Sequence, residues 1–202
     1  MTTPPAAPLS TTEPAARLAA EPAAQPLTAW PAPPQSVAAL ADLLRTRGWR
    51  LAAAESCTGG LIAAACTELA GSSDWFERGF VTYSNAAKTE LLGVPAALIE
   101  AHGAVSEPVA RAMAQGALAH SAAQLALSVT GIAGPGGGSS AKPVGTVWFG
   151  WALPGRVWTD CRRFDGDRAA VRQASVAHAL GTLVAALAAL DAPAGPATES
   201  AP

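Results

Sequence analysis

Ala54-Glu55-Ser56-Cys57-Thr58-Gly59-Gly60 is the stretch on which the reading of this chain turns. A short, mostly apolar run, Trp49 to Ala54, precedes it, and an amphipathic apolar run, Leu61 to Ala70, follows it. That order predicts a strand, a tight glycine-containing turn and a helix. Such a turn exposes a side chain at the carboxyl end of the strand and aims backbone N–H groups at one point. Ser56 is therefore a candidate nucleophile beside an anion-binding helix start at Thr58, Gly59 and Gly60. An ordinary turn whose Ser and Thr are helix caps fits the same residues.

Working outward, Ser36 followed by Val37, Leu40, Leu43 and Leu44, then Gly48, reads as a capped helix with a glycine stop. Beyond the turn, a helix over 59–70 is closed by Gly71. A loop from Ser72 to Arg78 carries Trp75 and Phe76, which are weighed as contacts for a substrate ring. A short strand is predicted at Phe80 to Tyr83, and Asn85 is read as the cap of a helix reaching Leu92. Pro95 opens a short helix ending near His102, and Ser106-Glu107-Pro108 starts another. Leu125 to Val129 reads as a buried strand running into a glycine-rich loop, Thr130 to Gly138. Val144 to Leu153 and Arg156 to Phe164 form a hairpin through Pro154 and Gly155. A final helix runs from Arg168 to Leu190. Together these predict the α/β class: a three-layer α/β/α sandwich with a mixed, mostly parallel sheet and one hairpin.

Composition sets the bounds. Nine of the 17 prolines fall before residue 35, and residues 191–202 repeat that Pro/Ala character. Neither tail has periodic apolar positions, so residues 1–35 and 191–202 are expected to be disordered around one domain at 36–190. The start lacks the basic and continuous apolar regions of a targeting signal. No run reaches the ~18 uninterrupted apolar residues of a membrane span. A net charge of −2 argues against nucleic acid or an anionic membrane as partner. Cys57, Cys66 and Cys161 lack metal-type spacing and suggest reduced thiols in a cytoplasmic protein. The oligomeric state, homo-oligomer included, stays open.

The chain uses eleven arginines and only two lysines, Lys88 and Lys142. Its one tyrosine, its one asparagine and one of those lysines share Tyr83-Ser84-Asn85-Ala86-Ala87-Lys88. Lysine can lose its proton inside a protein and arginine cannot. Lys88 in the first turn of a helix meets the positive helix end, and partial burial acts in the same direction, so its pKa is expected to fall. A neutral lysine can serve as base for a serine nucleophile, and amides of the turn after Ser56 can hold an oxyanion. The loop from Thr130 lacks the ATP-cradling lysine pattern but can hold one phosphate through backbone amides. Arg168 and Arg172, one helical turn apart, can clamp the same anion. Glu55 is read as holding either the site loop or an amine. Cys57 adjoins the nucleophile and is expected to point away.

Five blocks together resemble the CinA C-terminal domain family, the nicotinamide-nucleotide amidases. They are Ala54 to Gly60, Gly79 to Lys88, His102 to Ser106, Thr130 to Pro135 and Lys142 to Val147. The resemblance covers roughly residues 36–190, in order. It implies hydrolysis of the carboxamide of nicotinamide mononucleotide (NMN) to nicotinate mononucleotide and ammonia, in pyridine nucleotide recycling, with no required metal or cofactor. It implies Ser56 as nucleophile, Lys88 as general base and Tyr83 as a residue that supports proton transfer or holds the nicotinamide. Glu55, Thr58, Gly59, Gly60, Thr130, Gly131, Arg168 and Arg172 are the expected substrate-binding residues. Members commonly place Asp after the Gly-Pro of the third loop, where this chain has Gly136. Some relatives carry an N-terminal molybdopterin-binding-like domain; with only a Pro/Ala tail, this chain resembles the stand-alone amidase. The alternative is a non-catalytic nucleotide-binding regulatory module.

Overall fold

The computed structural model describes residues 35–191, all within the second of two units into which the chain divides, Pro33–Pro202. The expected disordered tails lie, apart from Gln35 and Asp191, outside the described residues. Five strands form one sheet in the order β2-β1-β3-β4-β5. These are β1 (Leu51–Glu55), β2 (Phe76–Val81), β3 (Leu125–Gly131), β4 (Thr146–Leu153) and β5 (Arg156–Arg163). β1 runs parallel to both β2 and β3, and the hairpin β4–β5 adds antiparallel to β3. Among the described residues six α-helices and one 3-10 turn, Ser72–Asp74, accompany them: α1 (Gln35–Arg47), α2 (Leu61–Glu68), α3 (Asn85–Leu92), α4 (Ala96–His102), α5 (Glu107–Ala119) and α6 (Arg168–Asp191). The expected α/β sandwich with a mixed sheet is the fold that forms.

Strand periodicity explains the three layers. Successive side chains of a strand point to opposite faces. Leu51 and Ala53 of β1 join a core with α1, α2 and α6, whereas Ala52 and Ala54 join a second core with α3, α4 and α5. All five β1 residues are buried, as a central parallel strand requires. The second face is built from small residues, so α5 approaches closely. Ser128 Oγ there donates to Ala110 O at 2.6 Å, satisfying a buried hydroxyl across the helix–sheet gap. By length and composition, α6 is the one described helix long and apolar enough to cross a membrane. Its Val171, Val176, Leu180, Leu183 and Leu187 are buried in the first core.

Local differences from the sequence reading have physical causes. β2 begins at Phe76, four residues before the predicted start, because an edge strand tolerates Glu77, Arg78 and Gly79 at exposed or half-buried positions. Trp75 is fully buried in the first core, and its carbonyl accepts Leu51 N–H at 2.7 Å. That places it at the amino ends of β1 and β2, away from any ring held at their carboxyl ends. The cap of α3 is Ser84, whose Oγ accepts Ala87 N–H at 3.0 Å; Asn85 is the first helical residue. Ser106 stands at the cap position of α5 but makes no side-chain cap bond, and its Oγ donates to Gly103 O at 2.8 Å.

Gly116 marks where α5 crosses α3. A Cβ built there would collide with the carbonyl of Leu92. In an open helix Gly→Ala gains roughly 0.5–1 kcal/mol. Here the overlap is with backbone, which cannot swing aside, so overpacking dominates at a cost of roughly 1–3 kcal/mol. Gly116→Ala is expected to lower Tm in thermal denaturation; a raised Tm would show that the two helices separate freely.

Candidate active site

Parallel pairing brings three carboxyl ends together. Glu55 of β1 is in register with Val81 of β2 and Val129 of β3, so the segments following these strands share one rim. Ligands of open α/β sheets bind at such rims. Ser56 follows β1, Thr82 and Tyr83 follow β2, and Thr130 and Gly131 end β3.

Ser56 is buried, at 8% exposed. Its N–H donates to Val129 O at 3.0 Å. Lys88 reaches it from the first turn of α3. Lys88 Nζ lies 3.1 Å from Ser56 Oγ and donates to Thr82 O at 2.9 Å. The lysine is 1% exposed, and among the described residues it has no carboxylate partner. Burial therefore pulls its pKa below the ordinary 10.5, because a desolvated ammonium loses its hydration without compensation. Thr82 O is a partner that no sequence pattern signals, since any residue type supplies a carbonyl.

Glu55 is fully buried, and both carboxylate oxygens are engaged. Oε2 accepts Gly60 N–H and Ile62 N–H, each at 3.0 Å, and Oε1 accepts Ala63 N–H at 2.9 Å. Gly59 N–H turns back to Ser56 O at 3.1 Å. The amides of Gly59 and Gly60, expected to face an anion, are therefore occupied within the protein. The amides of Cys57 and Thr58 donate to no carbonyl or carboxylate among the described residues. Thr58 Oγ1 is buried and has no partner there either. The Cys57 thiol is pushed up to about 11 by burial, which keeps it protonated and a poor nucleophile at neutral pH.

The two arginines separate. Arg172 Nε donates to Cys57 O at 3.2 Å and Nη2 to Thr58 O at 2.7 Å, pinning the turn from α6. Arg168 instead reaches the third loop. Its Nη1 donates to Gly134 O at 3.1 Å and its Nη2 to Tyr83 Oη at 3.2 Å. Tyr83 is 63% exposed. Thr130 is buried, and its Oγ1 donates to Ala104 O at 2.9 Å. Gly131 packs against β4, where a Cβ would strike Val147 and Thr146 O. Gly136 lies in the open, with nothing near the place of a side chain. Among the described residues no group of three or more His, Cys, Asp and Glu side chains is placed to hold a metal ion.

The site is thus a hydroxyl in contact with a buried amine that has no carboxylate partner among the described residues, beside two backbone N–H groups that donate to no carbonyl or carboxylate there, with an exposed Tyr and Arg bonded to each other on the same rim. A family model described as the CinA C-terminal domain matches residues 34–187. The chain is 59% identical over 140 residues to a nicotinamide-nucleotide amidohydrolase PncC of Enterobacter agglomerans, covering 69% of this chain and 85% of that one. It is 55% identical over 141 residues to the protein of the same name in Escherichia coli K12, covering 69% and 86%. It is similar, at a TM-score of 0.74 and 42% identity, to the crystal structure of the competence damage-inducible protein A of Klebsiella pneumoniae, covering 76% of this chain and 95% of that one.

Proposed function

This chain belongs to the CinA C-terminal domain family, and we propose that it hydrolyses the carboxamide of NMN to nicotinate mononucleotide and ammonia, through an acyl-enzyme on Ser56. The observation that carries the reading is the 3.1 Å contact between Ser56 Oγ and Lys88 Nζ. The amidohydrolase names of the close relatives support the substrate. Return of the pyridine to nucleotide synthesis and a cytoplasmic location, consistent with three free cysteines, belong to the same reading.

Neutral Lys88 donates one N–H to Thr82 O and accepts the Ser56 O–H proton. Ser56 Oγ attacks the carboxamide carbon. The resulting oxyanion is held by the N–H groups of Cys57 and Thr58, donors that have no carbonyl or carboxylate acceptor among the described residues. Protonated Lys88 then delivers its proton to the amide nitrogen, and ammonia leaves. Water attacks the ester, Lys88 takes its proton, and Ser56 recovers its own as nicotinate mononucleotide departs. One amine serves both half-reactions, because deacylation reverses the proton path of acylation.

Arg168 is assigned to the substrate phosphate, with Tyr83 beside it and the Thr130 loop completing the cradle. Arg172, which donates to Cys57 O and Thr58 O, is assigned to holding the turn rather than to the phosphate. A charge-assisted hydrogen bond contributes about 1.5–3 kcal/mol, or roughly 10- to 100-fold in affinity. Arg168→Ala is therefore expected to raise KM for NMN by about that factor and to leave hydrolysis of nicotinamide riboside unchanged. Steady-state kinetics on the two substrates read this. Equal loss on both would place Arg168 in the chemistry instead. Binding of NMN by the wild type with no ammonia released would favour the non-catalytic nucleotide-binding module.

A further inference from the structure

We propose that Glu55 is a positioning residue for the nucleophile. Its buried carboxylate clamps the turn between β1 and α2, holding Ser56 Oγ against Lys88 and the Cys57 and Thr58 amides toward the reacting carbonyl. The proposal rests on the reading of Ser56 as nucleophile.

A helix start leaves several N–H groups without partners, and a side chain at the cap usually accepts one of them. In α2 the cap position is Gly60, in the left-handed region at φ 97°, and it makes no side-chain cap bond. The missing acceptor comes from across the turn. Glu55, the last residue of β1, supplies two oxygens to Gly60, Ile62 and Ala63. A fully buried carboxylate is costly unless its oxygens are satisfied. Three amides at a positive helix end provide that satisfaction.

The consequence is geometric. Ser56 is bonded covalently to Glu55 on one side, and the Glu55 carboxylate grips the chain again at Gly60 on the other. The turn is closed on itself with Ser56 inside the closure. The backbone of Glu55 acts on the base as well. Glu55 O accepts Thr82 N–H at 2.7 Å, and Thr82 O in turn accepts Lys88 Nζ. Nucleophile and base are both located from one residue. The clamp also occupies the helix start at which phosphate would otherwise bind, which leaves the anion to the far rim at Arg168.

Glu55→Gln keeps the size but places an NH2 group where an acceptor oxygen was, so backbone N–H groups face a donor. A misplacement near 1 Å costs about 10²-fold in rate. For Glu55→Gln, kcat on NMN is expected to fall by about that factor with KM within about twofold. Phosphonylation of Ser56 by a fluorophosphonate probe, which carries no nicotinamide or phosphate to recognise, is expected to slow in parallel. Glu55→Asp, which keeps the charge but is one methylene shorter, should fall between wild type and Gln, and it serves if Gln does not fold. Leu44→Ala, in the core on α1, should lower Tm and slow neither reaction. Wild-type kcat and phosphonylation in Glu55→Gln would overturn the proposal. So would a raised KM with unchanged phosphonylation, which is the signature of a substrate contact. A wild type that is phosphonylated on Ser56 yet leaves NMN intact would overturn the substrate, while the phosphonylation rates still decide the clamp.

Discussion

Ser56→Ala is expected to bind NMN and not to hydrolyse it. The substitution removes one oxygen and leaves Lys88 its bond to Thr82 O, so the rest of the site stays in place. Turnover should fall by at least about 10³-fold, because no other group can form the acyl-enzyme. The neighbouring thiol offers no bypass. Cys57 is buried, and its pKa of about 11 leaves almost no thiolate at neutral pH. Calorimetric titration of the variant with NMN should return a dissociation constant close to the wild-type KM. Substantial turnover by the variant would assign the chemistry to another nucleophile.

Lys88→Arg is expected to be as inactive as Lys88→Ala, by roughly 10²- to 10⁴-fold, the usual contribution of a general base. Charge is retained, but a guanidinium does not give up its proton. Lys88→Met separates chemistry from folding. It replaces a buried amine lacking a carboxylate partner with an apolar chain of similar length, so relief of the desolvated amine offsets the donor lost by Thr82 O, and the variant should fold with a modest change in Tm and be equally inactive. The wild-type pH profile follows from the sign of the shift. Burial holds the Lys88 pKa below 10.5, and only the neutral form is active. kcat/KM should rise with pH and level off above that lowered pKa, before an ordinary lysine would titrate. Activity that falls as pH rises while the protein stays folded would contradict the base assignment.

Much of this was legible because glycine and apolar runs punctuate the chain. Gly48 and Gly93 follow helices where a left-handed residue is needed, and the run Leu51 to Ala54 is buried on both faces as its composition suggests. Gly71 does not close α2 as expected: the helix ends at Glu68 with Leu69 extended at its C-cap, and Gly71 caps the short 3-10 turn Ser72–Asp74. The hairpin through Pro154 and Gly155 was legible for the same reason. The start of β2 was not, because an edge strand carries Glu77 and Arg78 without the alternation that marks a strand. Ser84 and Asn85 are both good caps, and only geometry separates them.

At the site, the rarity of lysine in an arginine-rich chain pointed to Lys88, and burial, more than the helix end, moves its pKa. The partition of Arg168 and Arg172 was hidden. Spacing puts both on one face of α6, yet only tertiary structure shows that Arg172 meets the carbonyls of Cys57 and Thr58. The Glu55 clamp spans five to eight residues across a turn, outside the local spacing of a capping box. Glycines placed to present amides to an anion instead present them to that carboxylate.

The most direct test measures ammonia and nicotinate mononucleotide formed from NMN by purified wild type, Ser56→Ala and Lys88→Met side by side. The Ser56–Lys88 account predicts equimolar products from wild type and none above background from either folded variant. No ammonia from wild type, or undiminished release by either variant, would contradict it.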